Sequence, residues 1–242
     1  MRQLELSGRE VQLWTVRLEA LESTFARVSS WLSADEADRA VRFRFEKHRR
    51  AFVLGRAVLR ALVANYLRIA PTDVSFTYGP KGKPALAGAP CPLDFNVSNS
   101  GDLAAYAFTL NCEIGVDVEY RRRMADIEAI ARRFFASAEV AEFTDLADSD
   151  RPEGFFNCWT RKEAYIKAVG DGLSVPLDSF RVTLQPGAPA RMVELDGSAS
   201  AAERWTLHAF TPAPDYAGAI AYCDRPRPLN VQPLLSVDEL FK

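Results

Sequence analysis

The stretch IGVDVEYRRR, residues 114–123, alternates apolar side chains with others as a β-strand does and ends in three arginines. Successive side chains of a strand point to opposite faces, so Asp117 and Glu119 project together while Val116 and Val118 face the other way. Two acids side by side repel each other, which raises the question of what cation they hold.

The clearest helix of the second half of the chain is EGFFNCWTRKEAYIKAVG, residues 153–170, in which Glu163 and Lys167 stand four apart on one face. A hard cation such as Mg²⁺ takes a few carboxylate oxygens and shares its remaining positions with phosphate and water. Asp117, Glu119 and Glu163 make such a set if the helix packs over the strand, and Lys167 then reaches a phosphate bound to the same metal. The plain alternative is a Glu–Lys pair on a solvated helix beside a half-exposed strand. Two further stretches favour the site. The KGKP turn, Lys81, Gly82, Lys83 and Pro84, offers two point charges to a phosphate. The NVSNSG stretch, with Ser98 and Asn99, adds hydroxyls and amides that suit a phosphate or a ribose. Together these describe a site for a phosphorylated ligand and a metal, with donors from both halves of the chain.

The remaining sequence is that of a folded protein of 242 residues, 48% hydrophobic and 26% charged, with a net charge of −2. That balance points away from wholesale nucleic-acid binding. The basic run at 38–50 reads equally well as a solvated helix face. The four cysteines form no CxxC pair, and with only two histidines no zinc-type spacing can be assembled. They are expected to be reduced and mostly buried. The first fourteen residues carry charges throughout, unlike a signal peptide, and no apolar run reaches the roughly 20 residues of a membrane span. A cytoplasmic protein is expected.

Along the chain, residues 11–18 read as a strand, and Ser33 with Glu36 forms a capping box that starts a helix. A longer helix is expected over 48–67, then strands at 73–78 and 114–120, and a strand, polar loop and strand over 93–110. Two helices follow, near DIEAIARRFF and SAEVAEFTDLA, then the helix over 153–170 and strands in LDSFRVTL, RWTLHAF and AGAIAYC. Pro- and Gly-rich loops cover 185–203 and 211–216, and SVDELFK suits a short terminal turn. The rhythm gives an α+β fold of two similar halves, 1–112 and 113–242.

The segments FNVSNSGDLAAYAF, IGVDVEY and FFNCWTRKEAYIKAVGDGLSVPLDSF resemble, in order and spacing, the three motifs of the Sfp-type 4′-phosphopantetheinyl transferases. In the third, Trp159, Lys162, Glu163, Ala164, Lys167, Gly170, Gly172 and Leu173 stand where the family pattern expects them, in the Trp-plus-KEA form of the Sfp-like branch. The resemblance covers about residues 33–185. It implies a monomer of two pseudo-twofold-related α+β halves with coenzyme A in the cleft between them. Such enzymes transfer phosphopantetheine to a serine of an apo carrier protein. Carried onto this chain, Asp117, Glu119 and Glu163 would hold Mg²⁺, and Lys167 would contact a phosphate. Lys81 to Lys83, with Ser98 and Asn99, would hold the nucleotide end, and Arg39 would face the 3′-phosphate. Glu163 is also the candidate general base, directly or through water, a role that competes with tight metal ligation. Asn99 stands where the family usually has histidine, which removes a charge but keeps a hydrogen-bond donor. Arg121, Arg122 and Arg123 are candidates for docking the carrier. Two other readings are an acyltransferase using acyl-coenzyme A and a silent module that binds coenzyme A or a carrier protein. Retention of all three acids and Lys167 speaks against both.

Overall fold

The alternating stretches of this sequence become two small sheets, and its two long amphipathic stretches become the helices that cover them. The computed structural model describes residues 4–88, 90–124, 126–170, 174–234 and 236–240. Gly172 and Leu173 of the third motif lie outside the described residues.

Strand β1 (Val11–Arg17) leads through short helical turns, including α1 (Phe25–Val28), to α2 (Ala34–Val41) and the 22-residue α3 (Glu46–Leu67). Strands β2 (Phe76–Tyr78) and β3 (Pro84–Leu86) form a hairpin around the KGKP turn. Then come β4 (Leu93–Ser100), β5 (Leu103–Leu110) and β6 (Ile114–Tyr120). The second half adds α4 (Ile127–Phe134), α5 (Ser137–Thr144), α6 (Arg151–Val169), β7 (Phe180–Val182), β8 (Met192–Leu195) and α7 (Ala199–Ala202). It ends with β9 (Thr206–Phe210), β10 (Tyr216–Tyr222), β11 (Leu229–Pro233) and a turn of 3-10 helix, Val237–Leu240.

The first sheet has the order β11-β1-β5-β4 and the second β6-β10-β9. Helix α3 buries Leu54, Val58 and Leu62 against Trp14, Tyr106 and Phe108 of the first sheet. Helix α6 lays Ala164 and Ala168 on Ala217, Ala219 and Ala221 of the second. A third cluster, with Leu13, Ala105 and Ala107 from one sheet and Val116, Val118 and Ile220 from the other, joins them. The class is α+β, as the sequence predicts.

Strands β4 and β6 are neighbours that belong to different sheets. Side chains of β4 replace the missing ladder. Asn96 Oδ1 accepts the Val116 N–H at 3.0 Å, Ser98 Oγ that of Val118 at 3.3 Å, and Ser100 Oγ that of Tyr120 at 3.1 Å. These N–H groups would otherwise be unpaired on the side of β6 away from β10. The NVSNSG stretch is therefore mostly strand, where the sequence reading has a polar loop, because hydroxyls and amides at every second position find backbone partners across this seam.

The capping box of Ser33 and Glu36 starts α2 as expected. Three strands escape the sequence reading, β3 being only three residues long and starting at the end of the KGKP turn. β8 is only four residues long among turn residues, and β11 pairs in parallel with β1, Val11 opposite Leu229, which returns the end of the chain to the first sheet. All four cysteines are unpaired, but only Cys158 is fully buried and Cys223 is exposed. Among the described residues no helix is long and apolar enough to cross a membrane.

Candidate active site

Gly115, Asp117 and Glu119 share the face of β6 that meets α6. The approach is close: a Cβ on Gly115 would lie 2.0 Å from the Ala164 carbonyl oxygen and 2.3 Å from the Ala168 nitrogen. Only glycine admits the helix backbone there, and the contact sets Glu163 and Lys167 over the two strand acids. Other motif residues hold the helix in place. The ammonium of Lys162 is fully buried between Glu139 at 2.8 Å and the carbonyls of Leu177 and Phe180 at 2.7 and 2.6 Å. Trp159 packs on Phe134 and Phe155.

Lys167 Nζ lies 2.6 Å from Asp117 Oδ1 and 3.0 Å from Ser98 Oγ. Ser98 donates its own proton to the same carboxylate oxygen at 3.0 Å. Asp117 is 3% exposed, and its Oδ2 is buried with no hydrogen-bond partner among the described residues. Ser100 donates to Glu119 Oε2 at 2.6 Å. Burial raises the pKa of Glu119; the Ser100 hydrogen bond opposes that shift, and the Asp117 charge adds to it. Glu163 is pushed up to about 7 by burial, with repulsion from Asp117 next and Lys167 pulling the other way. The Asp117 charge thus adds to the raised pKa of both Glu119 and Glu163.

This donor set suits a hard divalent cation. The orphaned Oδ2 of Asp117 is an oxygen that a metal would satisfy. As the side chains stand, the described residues gather no group of three or more His, Cys, Asp or Glu into a ready metal site. The ammonium of Lys167 occupies the other oxygen of Asp117.

Beside these acids a cavity of about 780 Å³ opens between α3 and the first sheet. Its wall includes Arg39, Lys47, His48 and Arg56 from the basic stretch and from α3, with Gly82, Pro84, Asn99 and Ser100 opposite. Ser100 thus touches both the cavity and Glu119. Asn99 faces the cavity while Ser98, its neighbour on the strand, turns to the seam. Lys81 is exposed on its turn. Lys83 sends its ammonium to the Ala168 carbonyl at the end of α6, 2.9 Å away, and burial lowers its pKa. Arg121 is held by the Tyr216 carbonyl at 3.0 Å, whereas Arg122 and Arg123 are exposed.

Arg56 and Ser100 are absent from the sequence-based site. Arg56 is 11% exposed, pairs with the buried Glu36 at 3.4 Å, and keeps a buried Nη1 without a partner among the described residues. Its signal was its place four residues before Arg60 in an otherwise apolar stretch. For Ser100 the signal was its spacing of two from Ser98, which matches that of Glu119 from Asp117.

Three acids and a lysine thus stand in an α+β fold beside a cavity lined by cations, a set of charges whose chemistry suits phosphate esters. Comparison with known proteins is more specific. Residues 113–221 match the 4′-phosphopantetheinyl transferase superfamily model, and residues 17–111 match a 4′-phosphopantetheinyl transferase N-terminal model. The chain is 38% identical to the 4′-phosphopantetheinyl transferase HetI of Nostoc sp. over 90% of each chain. It is 31% identical to the 4′-phosphopantetheinyl transferase Sfp of Bacillus subtilis, over 65% of this chain and 69% of Sfp. The transferase ffp, also of Bacillus subtilis, is 33% identical over the same shares. The chain belongs to the 4′-phosphopantetheinyl transferase superfamily.

Proposed function

We propose that this transferase moves the 4′-phosphopantetheine arm of coenzyme A onto a serine hydroxyl of an apo carrier protein and releases adenosine 3′,5′-bisphosphate. The observation that carries the reading is the convergence of Asp117, Glu119, Glu163 and Lys167 next to Ser100, which lines the cation-lined cavity and bonds Glu119. The three carboxylates would hold Mg²⁺, which when bound neutralises charge on the pyrophosphate. The serine oxygen forms a bond to the phosphorus that carries pantetheine. The bond from that phosphorus to the bridging oxygen breaks, and its electron pair leaves on adenosine bisphosphate. Glu163 takes the serine proton, directly or through one water. Lys167 presents its ammonium to the charge that develops on the leaving phosphate.

The first half, 1–112, takes the nucleotide end and the second, 113–242, carries the acids, with the strand at 229–233 returning to the first sheet. Arg39, Lys81, Asn99 and the backbone of Gly82 to Pro84 line the path of the nucleotide. Arg56 adds its spare N–H, and Ser98 sits with the acids. Exposed Arg122 and Arg123 contact the carrier; reversing their charge raises KM for carrier and leaves coenzyme A binding intact. The protein acts as a monomer in the cytoplasm, where coenzyme A and apo carriers meet it.

The deciding experiment is mass spectrometry of an apo carrier incubated with the protein, coenzyme A and Mg²⁺. A gain of one phosphopantetheine that chelator abolishes supports the reading. Acyl addition, or no change, rejects it.

A further inference from the structure

The serine hydroxyls of β4 repeat one arrangement. Ser98 gives its proton to Asp117 and accepts the N–H of Val118, and Ser100 gives its proton to Glu119 and accepts the N–H of Tyr120. Each hydroxyl on one sheet therefore fixes a carboxylate on the other, in register, at every second residue. A serine hydroxyl has one proton to donate. At Ser100 that proton is committed to Glu119 Oε2 at 2.6 Å, so it is not available to a phosphate, which offers no proton of its own at neutral pH. Ser100 lines the cavity all the same, which makes it look like a ligand contact.

We propose that Ser100 is a positioning residue: it holds the Glu119 carboxylate from across the seam in the orientation that the metal requires, and does not bind coenzyme A. The role rests on the metal reading given above. Glu119 sits half-buried near the end of an edge strand with three side-chain torsions to fix, and the described hydrogen bond to its carboxylate comes from the other half of the molecule. Closure of the seam and orientation of the acid are thereby one event. Groups that orient a metal ligand in this way are worth about 10–100-fold in metal affinity.

The test is calorimetric titration of the full chain with Mg²⁺ in the absence of carrier and coenzyme A, alongside coenzyme A titration in chelator. Ser100→Ala is expected to weaken Mg²⁺ about tenfold, with coenzyme A affinity unchanged. Ser100→Thr, which keeps the hydroxyl, is expected to restore Mg²⁺ binding. Ser100→Cys, nearly isosteric with a weaker donor, is expected to behave as the alanine variant and serves if that variant folds poorly. Unchanged Mg²⁺ affinity in Ser100→Ala overturns the role, as does an equal loss of coenzyme A affinity in chelator. A parent chain that takes up no Mg²⁺ even with coenzyme A present rejects the metal reading itself. That failure is distinct from normal uptake by the parent with no effect of the substitution.

Discussion

Both halves lay one long helix on a sheet, but the spacers differ. Under α3 stand Trp14, Tyr106 and Phe108, and a Cβ on Gly55 would meet only the Tyr106 hydroxyl, at 3.5 Å. Under α6 stand alanines and Gly115, where a Cβ would fall 2.0 Å from helix backbone. Aromatic spacers hold α3 away from its sheet and leave the 780 Å³ cavity beside it. Small residues bring α6 down until its charged side chains meet those of the strand. One plan of packing thus yields a container in the first half and a reactive cluster in the second.

The hardest way to break that contrast is Gly115→Ala. It should cost roughly 3 kcal/mol in urea unfolding. Transfer should fall at least about a hundredfold in the mass assay, because α6 must move and carry Glu163 and Lys167 with it. Lys167→Met should separate the two uses of that lysine. Without its ammonium on Asp117, the free chain should bind Mg²⁺ on the order of tenfold more tightly by calorimetry. Phosphopantetheine transfer should nevertheless drop by about a hundredfold or more.

The pH response sharpens the same cluster. Glu163 has its pKa raised from 4.5 to about 7 in the folded chain, so between those values the folded state holds the extra proton. In chelator, stability should therefore fall as pH rises from 4.5 to about 7 and then level off. Urea melts of Glu163→Gln should lose most of that slope and keep the part that the raised pKa of Glu119 contributes. In the container half the effects are smaller. Asn99→His should bind coenzyme A several-fold more tightly at about pH 6, where imidazole is charged, and approach the parent at higher pH. Gly55→Ala, free of a clash, should leave stability within about 1 kcal/mol of the parent or raise it. A large loss there would mean that α3 sits as tightly as α6.

Much of the acidic cluster in the second half was legible from spacing alone. Acids two apart on a strand and a Glu–Lys pair four apart on a helix each define a face, and the helix needed only to land on the strand. The container half was less so. Ser98 and Asn99 look alike in sequence and serve opposite faces, one the seam and one the cavity. Lys83 carries the charge expected at a ligand, yet its ammonium closes the end of α6. Arg56 gains its meaning from Glu36, which lies twenty positions earlier in the chain and touches it only in the fold.

The sequence by itself determined the periodicities, hence the helices, most strands and the two acid-bearing faces, because such patterns follow from local geometry. Tertiary structure alone decided what those faces meet. It set the 2.6 Å pairing of Lys167 with Asp117, the serines of β4 across from the acids of β6, and the return of β11 to β1. Those contacts join residues with no local relation in the chain. Their energies depend on burial and on which donors remain unpaired when two sheets meet edge to edge, and neither is written in any single stretch of sequence.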